Sequence, residues 1–271
     1  MLRAVVSALR AHAARVSVEP AAAATRAILL DVEGTTTPIA FVFDVLFPYV
    51  RSHLGEHFER HAGDPALARL IEHLQAEHEA DRSGGQPVPS WNDGTPGVRL
   101  ASAAAYVEWL MDRDRKSTPL KELQGRIWEE GYGRGELTSD VFGDVPPALA
   151  RWTAQGLHVA IFSSGSVRAQ RLLFQHSPAG DLGQFLSGYF DTTTGAKTDP
   201  ASYRRIAAKL NVEPPAVLFV SDVTRELDAA REAGMQTRLA LRPGNAPQPA
   251  GSTHPTIRTF DEIGSTAARS T

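Results

Sequence analysis

Ala27-Ile28-Leu29-Leu30-Asp31-Val32-Glu33-Gly34-Thr35-Thr36-Thr37 is the stretch on which the fold turns. Four apolar residues run straight into an aspartate, a glycine and three threonines, the pattern of a buried strand that stops at a polar loop. Similar short apolar runs recur only after residue 155. They are His158–Phe162 before Ser163-Ser164-Gly165-Ser166, Phe185–Phe190 before Asp191, Val217–Val220 before Ser221-Asp222, and Thr237–Leu241 before Arg242-Pro243-Gly244. Helical patterns lie between them, such as Tyr203, Ile206, Ala207 and Leu210 at i, i+3, i+4, i+7. Strands alternating with helices predict an α/β fold with a doubly wound parallel sheet and crossover helices.

The stretch from about Phe41 to Asp144 has a different texture. Leu67, Leu70, Ile71 and Leu74 have helical spacing, as do Leu120, Leu123 and Ile127, and a Gly/Pro-rich loop at Ser83–Gly97 separates the two sets. A helical cap inserted after the first strand accounts for this, with residues 26–40 and 145–263 forming the α/β core and 41–144 the cap. Residues 264–271 form a C-terminal tail. Residues 1–25 are expected to be a poorly ordered N-terminal extension. The first 27 residues hold ten alanines, four arginines and a single acid, Glu19, a composition open to an organellar transit peptide or to a plain extension in an Ala- and Arg-rich chain.

Composition removes several classes of function. Lysine plus arginine count 28 and aspartate plus glutamate 31, a net charge of −3 over 271 residues, which gives no basis for nucleic-acid binding. With no cysteine, disulfide scaffolds, thiolate-bound zinc, iron–sulfur clusters and cysteine nucleophiles are excluded, and a reducing cytoplasm suits the chain. No apolar run approaches the ~20 residues of a membrane helix, so no membrane partner is expected.

In a parallel α/β sheet, function collects at the carboxyl ends of the strands. Asp31 and Glu33 lie two apart, so in an extended segment both carboxylates point the same way while Val32 points to the core. One can attack a phosphate ester and the other can give and take a proton, although Asp31 ending a strand at a turn fits equally. Ser163 and Ser164 present hydroxyls and backbone N–H groups ahead of the helical pattern Val167–Phe174, as a phosphate cradle or as ordinary helix caps. Lys197 follows Gly195 in a loop, either neutralising a phosphoryl group or simply solvated. Asp222 ends an apolar run and suits Mg²⁺ through oxygen, or caps Val223–Ala233 with Glu226 supporting the first turn.

The order strand–Asp-x-Glu-Gly-Thr, strand–Ser, loop–Lys, strand–Asp resembles the haloacid dehalogenase superfamily of phosphohydrolases. The segments Asp31–Ile39, Asp114–Lys121, Ser163–Val167 and Ser221–Glu226 resemble more narrowly its enolase-phosphatase branch, the acireductone synthases of methionine salvage. The likeness spans about Arg26 to Ile263. Glu33 stands where most of the superfamily has aspartate, a departure that agrees with this branch. The resemblance implies that Asp31 is the nucleophile and a Mg²⁺ ligand. It implies that Glu33 gives a metal contact through its backbone carbonyl and keeps its carboxylate for proton transfer. Asp222 then completes the protein ligands of one Mg²⁺, and Ser163, Ser164 and Lys197 bind the phosphate. The substrate implied is a small-molecule phosphate, 2,3-diketo-5-methylthiopentyl 1-phosphate, with another sugar-like phosphate as the alternative. A monomer is expected.

Two further features remain open at this level. His53, His57 and His61 fall i, i+4, i+8 on one helical face, a solvated face unless a metal gathers them, and no His-Glu-x-x-His pattern is present. Arg113-Asp114-Arg115-Lys116 is either a charged surface turn or a basic cluster that faces the site when the cap closes.

Overall fold

A computed structural model describes residues 23–247 and 251–264. The expected N-terminal extension up to residue 22 and the tail from residue 265 lie outside the described residues. Six parallel strands form one sheet: β1 (Ala27–Leu30), β2 (His158–Phe162), β3 (Gly188–Phe190), β4 (Val217–Ser221), β5 (Gln236–Ala240) and β6 (Thr256–Ile257), in the order β3-β2-β1-β4-β5-β6. Five of these lie where the apolar runs place them. The strand after residue 181 is shorter than its run, because Asp181 caps a 3₁₀ turn at Leu182–Phe185 by accepting from Gly183 N at 2.8 Å. Two-residue β6 is too short to leave a periodic signal.

β1 sits in the middle, with Leu30 in register with Ile161 on one side and Val220 on the other. The two faces separate by the period of two. Ile28 and Leu30 enter one apolar cluster, shared with the helical insertion, while Ala27 and Leu29 enter another with Tyr203, Ile206 and Leu227. Both faces are covered, which is why β1 and β4 read as unbroken apolar runs.

The helical insertion leaves the sheet after β1. A π-helical stretch at Phe41–Leu46 leads into α1 (Phe47–Arg60), followed by α2 (Pro65–Ser83), α3 (Pro96–Asp112) and α4 (Thr118–Gly133). Polar caps followed by proline start three of them: Asp64 accepts from Ala66 N, Thr95 from Val98 N and Ser117 from Leu120 N. Leu67, Leu70, Ile71, Leu74, Leu120, Leu123 and Ile127 are buried as their spacing requires. The crossover helices of the sheet are α5 (Val145–Ala154), α6 (Val167–Gln175), α7 (Pro200–Leu210) and α8 (Thr224–Glu232). The chain returns from the β3 edge to β4, so strand order reverses beside β1, and a crevice opens there at the carboxyl ends.

Candidate active site

Asp31 follows β1 directly, and its backbone N donates to Val220 O at 3.0 Å, tying the end of β1 to β4. The next residues fold back: the N–H groups of Thr35, Thr36 and Thr37 all converge on Val32 O. Gly34 has φ +69°, and a Cβ there would lie 2.4 Å from Asp222 Oδ2, so only glycine lets this backbone pass against that carboxylate. Asp31 Oδ1 accepts from Val32 N at 2.7 Å and pairs with Lys197 Nζ at 2.6 Å. Asp31 Oδ2 lies 3.0 Å from Ser221 Oγ.

Lys197 is therefore no solvated lysine. Its ammonium also sits 2.6 Å from Glu226 Oε2, and Tyr203 Oη holds its backbone by donating to Lys197 O at 2.6 Å. Burial pulls its pKa down, but the Asp31 and Glu226 carboxylates more than reverse this and leave it raised. Glu226 supports more than a helix start. It is paired with Lys197 and lies 3.0 Å from Ser221 Oγ, whose single proton serves Asp31 or Glu226 at any moment.

The competing cap roles are settled by who caps. Helix α6 is capped by Ser166, which accepts from Ala169 N at 3.3 Å, leaving Ser163 and Ser164 on the wall of the cleft. Ser163 is buried, and its Oγ accepts from Gly165 N at 3.0 Å. At α8 the cap position is Val223, whose N–H donates to Ser221 Oγ, so Asp222 is not the cap.

The charges do not balance. Asp31, Glu33, Asp222 and Glu226 gather around the ammonium of Lys197, with Lys116 acting on Glu33 besides. Burial, with the Asp31 charge next, pushes Asp222 up to about 7 and raises Glu33 and Glu226 as well. A site of hard oxygen donors held against their own repulsion fits a divalent cation such as Mg²⁺.

Between this pocket and the insertion lies an open cleft. Glu33, Ser163, Ser164, Asp114, Arg115 and Lys116 line its polar side, and Leu46, Phe47, Met111, Trp128 and Leu173 line its apolar side. Of the basic cluster, Arg115 and Lys116 thus face the cleft and Arg113 does not line it, and all three are tied. Lys116 pairs with Asp114 at 2.9 Å, Arg115 with Asp81 at 2.8 Å, and Arg113 stacks over the Trp109 ring at 4.3 Å. Lys116 contributes a lowering influence on the Glu33 pKa that burial outweighs.

Sequence reasoning missed the fifth strand end. Arg242, buried, donates to Thr35 O at 3.0 Å and pairs with Asp144 at 2.8 Å, and Asn245 Nδ2 donates to Gly34 O at 2.9 Å. These two side chains clamp the turn that carries Asp31 and Glu33. The only signal was positional, since Arg242 to Asn245 also follow a strand. The reading of His53, His57 and His61 as a solvated face is corrected for His57, which is buried because α4 packs over that face of α1. His57 Nδ1 comes within 2.8 Å of Glu130 Oε1.

Comparison with known proteins agrees with this geometry. Residues 25–234 match the family model of haloacid dehalogenase-like hydrolases. The chain is 51% identical to Enolase-phosphatase E1 of Synechococcus elongatus over 236 residues, 87% of this chain and 96% of that one. It is 44% identical to Enolase-phosphatase E1 of Pseudomonas aeruginosa over 88% of this chain and 97% of that one. Among solved structures, the UTR4 protein of Saccharomyces cerevisiae superposes with a TM-score of 0.71 at 33% identity, covering 88% of this chain and 100% of the other. The chain belongs to the haloacid dehalogenase-like hydrolases and, within them, to the enolase-phosphatase E1 group.

Proposed function

We propose that the protein is a Mg²⁺-dependent enolase-phosphatase that converts 2,3-diketo-5-methylthiopentyl 1-phosphate to the acireductone 1,2-dihydroxy-3-keto-5-methylthiopentene and phosphate in methionine salvage. The observation that carries the phosphatase half is the Asp31–Lys197–Glu226 chain, with both ion pairs at 2.6 Å, at the point where strand order reverses. Asp31 and Asp222, with the Glu33 backbone carbonyl, would hold Mg²⁺, which when bound offsets phosphate charge and polarises oxygen. Lys197, Ser163 and Ser164 hold the phosphate. Residues 26–40 and 145–263 carry this chemistry, and residues 41–144 cap it.

In phosphoryl transfer an Asp31 oxygen attacks phosphorus, the ester P–O bond breaks, and the departing oxygen takes a proton from the Glu33 carboxyl. Its raised pKa lets Glu33 carry that proton toward neutral pH. Water then attacks the aspartyl-phosphate, passes its proton to Glu33, and releases phosphate with Asp31 restored. In enolisation a C–H beside a carbonyl gives its proton to a base in the cleft, and the carbonyl oxygen gains one. Glu33 is the carboxylate placed for this, beside Lys116. The apolar wall from Leu46 to Trp128 suits the alkylthio chain.

No helix among the described residues is long and apolar enough to cross a membrane, and the absence of cysteine supports a cytoplasmic site of action. The test compares phosphate release from the diketo-phosphate and from p-nitrophenyl phosphate, with Mg²⁺ and with chelator. The expected result is Mg²⁺-dependent turnover of both, with the diketo-phosphate strongly preferred. Turnover of p-nitrophenyl phosphate alone leaves a phosphatase for another small phosphate. Lys116→Ala is expected to slow the diketo-phosphate more than p-nitrophenyl phosphate, and equal losses would remove the cap from substrate recognition.

A further inference from the structure

The cap holds a second set of metal-ligating side chains, on α1 and α4, made of His57, His61 and Glu130. The geometry points to a binding site for a borderline divalent metal ion, zinc in the first instance, ligated by His57 Nδ1, His61 Nε2 and Glu130 Oε1. His57 and His61 are one helical turn apart, so both rings reach the same side of α1. Each comes within 2.8 Å of the same oxygen, Glu130 Oε1, and the three ligand atoms lie within 4.8 Å of one another. Tetrahedral zinc with bonds near 2.0–2.1 Å spaces its ligand atoms about 3.3 Å apart, so small side-chain rotations open this triangle to the required size. A water completes four-fold coordination.

A second observation points the same way. His57 is 4% exposed, yet neither of its ring nitrogens has a well-directed hydrogen bond among the described residues. Its Nδ1 meets Glu130 Oε1 in a close approach of 2.8 Å, and a metal drawn between the two would use both as ligands. Burial also lowers the His57 pKa, keeping the imidazole in its neutral, ligating form.

The arginines nearby do not forbid a cation. Glu130 offers Oε1 to the imidazoles and Oε2 to Arg60 and Arg134, so one oxygen ligates while the other keeps its guanidinium donors. Arg60 is shared with Glu56, and Arg134 with Glu56 and Glu136. Glu56 and Glu136 thus take up much of the charge of these two guanidiniums, and Arg126, which also acts on His57, is paired with Asp64 and Glu122. The site joins the end of α1 to α4, two helices that also line the substrate cleft through Phe47 and Trp128. It rests on these two helices alone and is independent of the proposed reaction.

Zinc titration of the metal-stripped full-length protein, with saturating Mg²⁺ and a chromophoric competitor, tests this directly. The expected result is one zinc per chain, retained in Asp222→Asn, which lacks a ligand of the sheet site. Cobalt in its place should show the intense visible bands of a four-coordinate ion. His61 is one-third exposed, so His61→Ala should fold normally, weaken zinc at least ten-fold and lose the zinc-induced rise in melting temperature. The site would be overturned by no zinc bound in wild type beyond what Mg²⁺ displaces, or by zinc binding unchanged in both His61→Ala and Glu130→Gln. Loss of zinc from Asp222→Asn alone would equally return the metal to the sheet site.

Discussion

Two charged clusters in this molecule differ in how far their carboxylates are paired. At the sheet, four carboxylates surround one ammonium, and three of those acids are pushed toward their protonated forms by burial and by Asp31. In the cap, Glu130 meets two imidazoles and two guanidiniums, the guanidiniums shared with Glu56 and Glu136, and these partners hold its pKa down against burial. The first arrangement stores repulsion that a cation and a phosphate relieve. The second is satisfied at Glu130, whose ion pairs stabilise the fold, while the buried His57 nitrogens stay without a hydrogen bond. Reactivity goes with the frustrated cluster, because groups whose protonation is poised near neutrality can exchange protons during a reaction.

The largest effect expected from breaking the sheet cluster is at Asp31. Asp31→Asn keeps the shape and an oxygen but removes the attacking charge, so phosphate release should fall by roughly 10⁴-fold or more. If enolisation needs only a polarised carbonyl and the Glu33 base, the enol phosphate should accumulate. A conjugated enol absorbs in the near ultraviolet, so absorbance and free phosphate followed in parallel separate the two half-reactions. Phosphate release at the wild-type rate would take the nucleophile role from Asp31.

Lys197→Met comes next. It leaves Asp31 and Glu226 facing each other without the ammonium now 2.6 Å from each. Loss of the charge on the phosphoryl group should lower kcat by roughly 10²–10³-fold and raise KM as well. Breaking a buried ion pair typically costs about 3–5 kcal/mol, so denaturation should show a matching loss of stability. A variant as stable and active as wild type would return Lys197 to a bystander.

Asp222→Asn should move stability the other way in the metal-free protein. Asp222 has an ordinary pKa near 3.8 when unfolded and about 7 when folded, so the folded state holds the proton more tightly. As pH rises from about 4 to 7 the unfolded chain gives up its proton first, and the native state loses stability across that window. The neutral amide removes this loss. In chelator at pH 8 the variant should melt several degrees higher than wild type, and at pH 4 the two should converge. With Mg²⁺ the order should reverse, since the proposed Mg²⁺ site then lacks one of its anionic ligands. A metal-free variant that melts lower at pH 8 would mean that Asp222 is not held under repulsion.

The two clusters also differ in how far they can be read from the chain. Asp31, Ser163 and Asp222 each end an apolar strand, so local pattern alone puts them at one edge of the sheet. Lys197 needed the resemblance, because a loop lysine carries no local signal, and its pairing with Glu226 depends on how the loop after β3 folds back on α8. Arg242 and Asn245 were invisible as supports, since they act on a turn some 200 residues earlier through backbone carbonyls. The histidines illustrate the opposite failure. Their spacing on α1 was plain, but the carboxylate that meets them, Glu130, comes from a helix 69 residues on, and periodicity cannot say which helix covers a face.

The smallest effect is expected from the satisfied cluster, and it sharpens the comparison best. Glu130→Gln keeps the side-chain shape and removes the charge that His57, His61, Arg60 and Arg134 share. The folded pKa of Glu130 lies below its ordinary value, so its stabilisation is present above about pH 4.5 and is lost as pH falls through the lower folded value. The carboxylate is a quarter exposed and its arginine partners more so, which limits the contribution to roughly 1–2 kcal/mol. For a chain of this length that is a drop of a few degrees in melting temperature at pH 7. Measured in chelator, so that no metal contributes, the difference between wild type and variant should shrink as the pH approaches 4. Phosphate release should stay within about two-fold of wild type, because none of these groups lines the cleft beside Glu33. A large fall in turnover at unchanged stability would show that the cap cluster sets the position of α1 and α4 over the substrate, and the division between a reactive and a satisfied cluster would fail.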